Sequence, residues 1–202
     1  MELQHPFRAI TTSVDGDVLQ VLASTHDEMT VSRLALLIPE RSGPGIRLAA
    51  DRLVDQGILR VRRIGRVRAY GFNDDHLLAP ALRQIAQAKS LLVTRLQSVF
   101  NEAGTPLAVL FGSAASGEMN ASSDVDILVV RPADADLWDE KLADLTVQIS
   151  RLTGNDARII DIDVEDLTAE QYAPLIDDVV REGIALAGDL SELRARRDRR
   201  RS

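Results

Sequence analysis

Asp124 and Asp126 stand two apart at the head of an apolar run, Val125-Asp126-Ile127-Leu128-Val129-Val130. Alternate residues of a strand share a face, so both carboxylates project together, roughly 7 Å apart at Cα. Two anions so placed repel each other unless a positive charge lies between them. Hard oxygen ligands at this spacing suit Mg²⁺, which fills its remaining positions with water and phosphate oxygens. Upstream, Gly112-Ser113 closes another apolar run, Leu107-Ala108-Val109-Leu110-Phe111, with ten residues between Ser113 and Asp124. A glycine there lets the backbone approach a phosphate closely, and the N–H groups that follow can form an anion-binding nest. Singly, an Asp-x-Asp pair is commonly just solvated and a Gly-Ser after a strand is commonly just a turn. Together they describe a place for a metal-bound phosphate. Asp161 and Asp163 share a strand face by the same alternation and offer a further carboxylate.

The elements that must hold these residues follow from apolar patterning. The runs over 107–111, 125–130 and 157–164 predict three strands, and apolar residues on both faces place them inside a covered sheet. Helical spacing covers 133–152, closed by Thr153-Gly154, and a further helix begins near Thr168. Leu77, Leu78, Leu82, Ile85, Leu92, Leu96 and Val99 predict one long helix over 75–103, ended by Gly104 and Pro106. The class is α/β (α+β).

The first 72 residues read differently. Val14, Val18, Leu19, Val21 and Leu22 mark one helix, Thr30 caps a second that stops before Pro39, and Ser42-Gly43-Pro44 starts a third that ends before Gly57. Two strands then flank Gly65. Eight Arg against Asp51 and Asp55 give residues 41–72 a charge of +6, whereas residues 101–190 carry −14 and the last twelve +4; the net charge of −7 hides this division. Helix, helix, helix and basic hairpin in that order resemble the winged helix-turn-helix domains of bacterial regulators. The resemblance implies that the third helix enters a DNA groove and the wing meets the backbone. It places Arg41, Ser42, Arg47 and Arg52 on or near the recognition helix and Arg62, Arg63, Arg66 and Arg68 on the wing. A solvated face is the bland alternative for any single Arg; five within residues 60–68 favour counterion displacement from a nucleic acid.

Gly-Ser followed by Ser-Asp-x-Asp-Ile-Leu-Val-Val resembles the minimal nucleotidyltransferase domain of the DNA polymerase β superfamily, over 105 to about 188. The resemblance implies a mixed sheet and an NTP whose phosphates lie over Gly112 and Ser113, with Ser123 also nucleotide-binding. It implies two Mg²⁺ ions (Mn²⁺ as a substitute) on Asp124, Asp126 and a third carboxylate from a later strand, for which Asp161 is preferred over Asp163. The catalytic and metal-binding set is then Asp124, Asp126 and Asp161. One departure is plain. The family commonly places Arg after Gly-Ser-x-Ala, and this chain has Ser116 there.

Composition narrows the rest. Without Cys there is no disulfide framework, thiolate zinc site or cysteine nucleophile, and aromatics at 3% leave the cores to Ala, Leu, Ile and Val. No apolar run approaches the roughly 20 residues of a membrane span, and the N-terminus lacks a signal-peptide pattern, so the expected localisation is cytoplasmic with no membrane partner. Gly43-Pro44-Gly45 is explained by helix capping, the three scattered His lack ligand spacing, and Trp138 reads as packing. The expected organisation is a winged helix over 1–73, a connector helix over 74–104, a nucleotidyltransferase domain over 105–188 and a basic tail over 189–202. The expected function is transfer of an NMP from an NTP to a hydroxyl, with the winged helix holding DNA or another nucleic acid and a homodimer as a further expectation. The alternative is a winged-helix transcriptional regulator, related to toxin–antitoxin systems, whose nucleotidyltransferase fold senses nucleotide or dimerises.

Overall fold

A computed structural model describes residues 2–132, 136–191, 193–195 and 197. The expected helix start at 133 and half of the basic tail over 189–202 lie outside these residues. The chain divides into two compact units, one over Gln4–Ala88 and one from Lys89 onward.

In the first unit, helices α1 (Val14–Ala23), α2 (Val31–Leu37) and α3 (Gly43–Asp55) precede a hairpin of β2 (Leu59–Ile64) and β3 (Val67–Phe72). Two caps expected from the sequence are in place. Thr30 Oγ1 accepts from Arg33 N and Ser42 Oγ from Gly45 N, both at 3.3 Å, each satisfying one of the donors a helix start leaves without a partner. The hairpin closes as Ile64 pairs with Val67, and Gly65 adopts φ 62°, the positive angle a two-residue turn needs and a side chain resists. Two elements escaped the pattern: a 3₁₀ turn at Pro6–Ala9 and β1 (Met29–Thr30), which pairs antiparallel with β3 to complete a three-stranded sheet. Val18, Leu22, Leu34, Ile46, Ala49 and Tyr70 form the heart of the core.

The helix expected over 75–103 is two helices. α4 (Ala79–Ala86) ends at Gln87, whose φ −100° and ψ 27° leave the helical region, and α5 (Ala88–Glu102) starts anew. Leu82, Ile85 and Ala86 pack on the first unit's core, while α5 falls almost wholly in the second unit and buries Leu92, Leu96 and Phe100.

The second unit is built on a four-stranded sheet of order β6-β5-β4-β7, comprising β4 (Leu107–Phe111), β5 (Val125–Val130), β6 (Ala157–Ile162) and β7 (Ile184–Ala187). β5 and β6 run parallel, and β4 runs antiparallel to both β5 and β7, so the sheet is mixed. Short α6 (Gly112–Ser116) follows β4, α7 (Trp138–Thr153) links β5 to β6, and α8 (Ala173–Glu182) precedes β7. Leu107, Val109, Leu128, Val130 and Ile162 share one face, packed with Ile176, Val179 and Val180 of α8. α7 packs along β6. Among the described residues, no helix is long and apolar enough to cross a membrane.

Candidate functional site

The Gly-Ser turn and the acidic pair meet because β4 and β5 are neighbours. Phe111, the last residue of β4, pairs with Asp126, so the chain leaves β4 directly beside that carboxylate. Gly112 turns with φ 65°, and a Cβ there would come within 2.9 Å of Asp126 Oδ2. Its positive φ favours glycine at this position, and a Cβ would have to push the Asp126 carboxylate aside.

Asp126 is half-buried and Asp124 exposed, and neither accepts a hydrogen bond from the described residues. Burial raises the Asp126 carboxyl above the ordinary Asp range; the charge of Asp124 adds to the rise and Arg158 opposes it. A carboxylate that is costly to ionise, beside another without a donor, is an arrangement that a cation relieves. Two carboxylates with open surroundings fit one divalent ion that takes its other ligands from water and phosphate. Among the described residues no group of three or more His, Cys, Asp or Glu could hold a metal.

The structure does not bring Asp161 to this pair. In the parallel register Asp126 lies beside Arg158, and Asp161 lies beside Val129. Three positions along a pleated strand is an odd step, so Asp161 projects from the opposite face. There its carboxylate accepts from Trp138 Nε1 at 3.2 Å and from both Nε (2.9 Å) and Nη2 of Arg131. Its oxygens are engaged in tying α7 to the sheet. Trp138, expected only to pack, is buried and donates as well. Asp163 lies beyond β6, exposed and 3.6 Å from Arg131 Nε.

The loop before Asp124 is held by a residue that sequence reading passed over. Buried Asn155 donates through Nδ2 to the carbonyls of Asn120 (2.9 Å) and Ser123 (2.7 Å), and Val125 N donates to Asp156 O. Ser123 Oγ accepts from Asn120 N at 3.1 Å, so this hydroxyl closes its own loop. A polar Asn directly after the Thr153-Gly154 helix end was the available signal. Ser113 O, for its part, accepts from Gly117 N and Met119 N, both at 3.0 Å, which fixes the turn after Gly112.

In the first unit the arginines sort by partner. Arg41 Nε donates to Asp17 at 2.7 Å and its Nη2 to Thr12 O, and Asp17 is 4% exposed, so Arg41 serves the fold. Ser42 is the α3 cap. Arg62 pairs with Glu28 at 2.6 Å. Asp51 accepts from Arg68 at 3.0 Å and from the Tyr70 hydroxyl at 2.7 Å, with Arg47 at 3.8 Å; burial and this bond raise the Tyr70 phenol. Arg63 and Arg66 are exposed and enter no ion pair among the described residues. They line a cleft of about 760 Å³ between the hairpin and the starts of α2 and α3, together with Arg47, Arg68 and Thr30.

Residues 95–189 match the family model for Polymerase beta, Nucleotidyltransferase. The match falls within the second unit, which is similar to nucleotidyltransferase domains over that span. Among solved structures, one described as a toxin-antitoxin with AMP-PNP is 19% identical, with a TM-score of 0.39 over 54% of this chain and 82% of that one. The MntA-HepT toxin-antitoxin gives 18% and 0.36 over 55% and 82%. A tri-AMPylated Shewanella oneidensis HEPN toxin in complex with MNT antitoxin gives 17% and 0.36 over the same shares. No curated protein gives a significant match. Gly112, Ser113, Asp124 and Asp126, the candidate site, all lie within the matched residues.

Proposed function

We propose that the chain is a nucleotidyltransferase that moves an NMP from an NTP to a hydroxyl, with the first unit acting as a winged helix that holds nucleic acid. The observation that carries this reading is the Gly112 backbone lying against the Asp126 carboxylate, which unites a phosphate-approach turn with an acidic pair. Asp124 and Asp126 would hold a divalent ion, Mg²⁺ or Mn²⁺, that neutralises phosphate charge and lowers the proton affinity of an attacking hydroxyl. The chain's own contribution is positional. Gly112 lets the phosphates approach, Asn155 fixes the loop before Asp124, and β5 holds Asp126 beside the turn that follows β4. Incubation of labelled NTP and Mg²⁺ with nucleic-acid ends, protein hydroxyls and small polyols tests it. Asp124→Ala and Asp126→Ala are expected to lower transfer by on the order of a thousandfold. Equally little label with wild type and variants removes the enzyme reading.

Arg158 favours a second reading, in which the domain senses nucleotide for a DNA-binding regulator. It occupies the strand position beside Asp126 where a further carboxylate would complete a two-metal set. DNA affinity that responds to nucleotide without turnover would select this reading over the first.

A further inference from the structure

From Gly112 to Val130 the chain supplies three acids, Glu118, Asp124 and Asp126, and no basic residue. A nucleoside triphosphate, itself strongly anionic, therefore meets only negative side chains along the turn and strand that form its site. Lys89 reaches the far end of α6, where its Nζ is committed to Ala115 O at 2.6 Å. Arg158 is placed differently. The β5–β6 register sets it beside Asp126, and paired residues of adjacent strands project from the same face. It is exposed and forms no hydrogen bond or ion pair among the described residues. A guanidinium held beside an acidic pair, yet not bonded to it, keeps its planar fork of donors for a third group, and that fork matches phosphate oxygens bidentately.

We infer that Arg158 is a phosphate ligand of this site, supplying from β6 the positive charge that the Gly112–Ser116 turn lacks, so that a nucleoside triphosphate binds even without a divalent cation. The inference rests on the reading of the site as a nucleotide site. ATP binding to the full chain, measured by calorimetry in EDTA and again in Mg²⁺, tests it with wild type, Arg158→Ala, Arg158→Lys and Arg158→Asp. Wild type is expected to bind in EDTA, within about tenfold of its affinity in Mg²⁺. Arg158→Ala should lose about tenfold or more in EDTA, the scale of one charge-assisted pair, and less in Mg²⁺. Arg158→Lys should recover part of the loss, because charge returns without the fork. Arg158→Asp should bind only when Mg²⁺ is present. Equal affinity of wild type and Arg158→Ala in EDTA, or wild-type binding that is absent in EDTA, overturns the inference while the nucleotide reading stands. Absence of wild-type binding in both buffers overturns that reading as well, a separate result.

Discussion

The two units handle charge in opposite ways. In the first, a stretch of +6 is largely answered from within: Arg41 by Asp17, Arg52 by Asp15, Arg62 by Glu28 and Arg68 by Asp51. What remains without an ion pair among the described residues is local, at Arg63 and Arg66 on either side of Gly65. In the second, a stretch of −14 ties Asp161 into Arg131 and Trp138 but leaves Asp124 and Asp126 without a donor among the described residues. Abundance therefore says little about availability. Each unit keeps a small unsatisfied remainder, and those remainders are where a ligand has most to gain.

The widest effect is expected at the hairpin. Arg63→Ala with Arg66→Ala should flatten the dependence of log duplex affinity on log salt by about two units, which is about a hundredfold loss at 50 mM salt. Arg52→Ala, whose guanidinium is already held by Asp15 at 2.7 Å, should leave that slope unchanged. A loss at Arg52 equal to that at the hairpin pair would break the distinction between answered and unanswered charge. Next comes Arg41→Ala. Asp17 would keep only Arg8, at 3.4 Å, and lose a charged hydrogen bond, so denaturant unfolding should show about 2 kcal/mol of destabilisation. DNA affinity per folded molecule should not change.

How much of this was readable beforehand depended on whether a signal was local. The 107–111 and 125–130 strands matched residue for residue, because apolar runs bounded by turn residues carry their own limits. Thr30 and Ser42 declared their helices by capping chemistry. The Gln87 break was hidden because leucines continue at helical spacing on both sides of it. β1 and β7 are two and four residues long and exist through partners far away in sequence. Asp161 shows the limit most clearly. Alternation tells which residues of one strand share a face, but which face that is relative to Asp126 depends on the pairing of β5 with β6, a long-range property. Arg41 likewise sits at the right place for a recognition helix, and only the fold reveals Asp17 beneath it.

Two smaller predictions sharpen the second half of the comparison. Asn155→Ala removes the donor to the Ser123 carbonyl and one of two donors to the Asn120 carbonyl, which keeps Ser123 N, at a cost of about 1.5 kcal/mol in thermal or denaturant unfolding. Nucleotide affinity should fall with it, because the loop before Asp124 loosens. Asp126→Asn should act in the other direction and stabilise the fold at pH 7 by under about 1 kcal/mol, relieving the burial and like-charge cost of ionising this group. Because the folded carboxyl holds its proton more tightly than the unfolded one, wild-type stability falls as pH rises from the ordinary Asp range through the raised value. The variant should lack that component, as unfolding across this pH range would show. A destabilised Asp126→Asn at pH 7 would mean that the carboxylate is satisfied after all.

The position of β6 gives its charges one more consequence. Among the described residues it is the outer strand of its sheet, with β5 on one side and no strand on the other. An outer strand offers its unpaired backbone to any similar strand it meets, and charged side chains along it are an obstacle to such docking. Arg158 and Asp161, one on each face of this six-residue strand, put that obstacle on both sides. Drift toward apolar residues here would threaten solubility before stability, exposing the run Ile159-Ile160-Asp161-Ile162 as a sticky margin between copies of the chain.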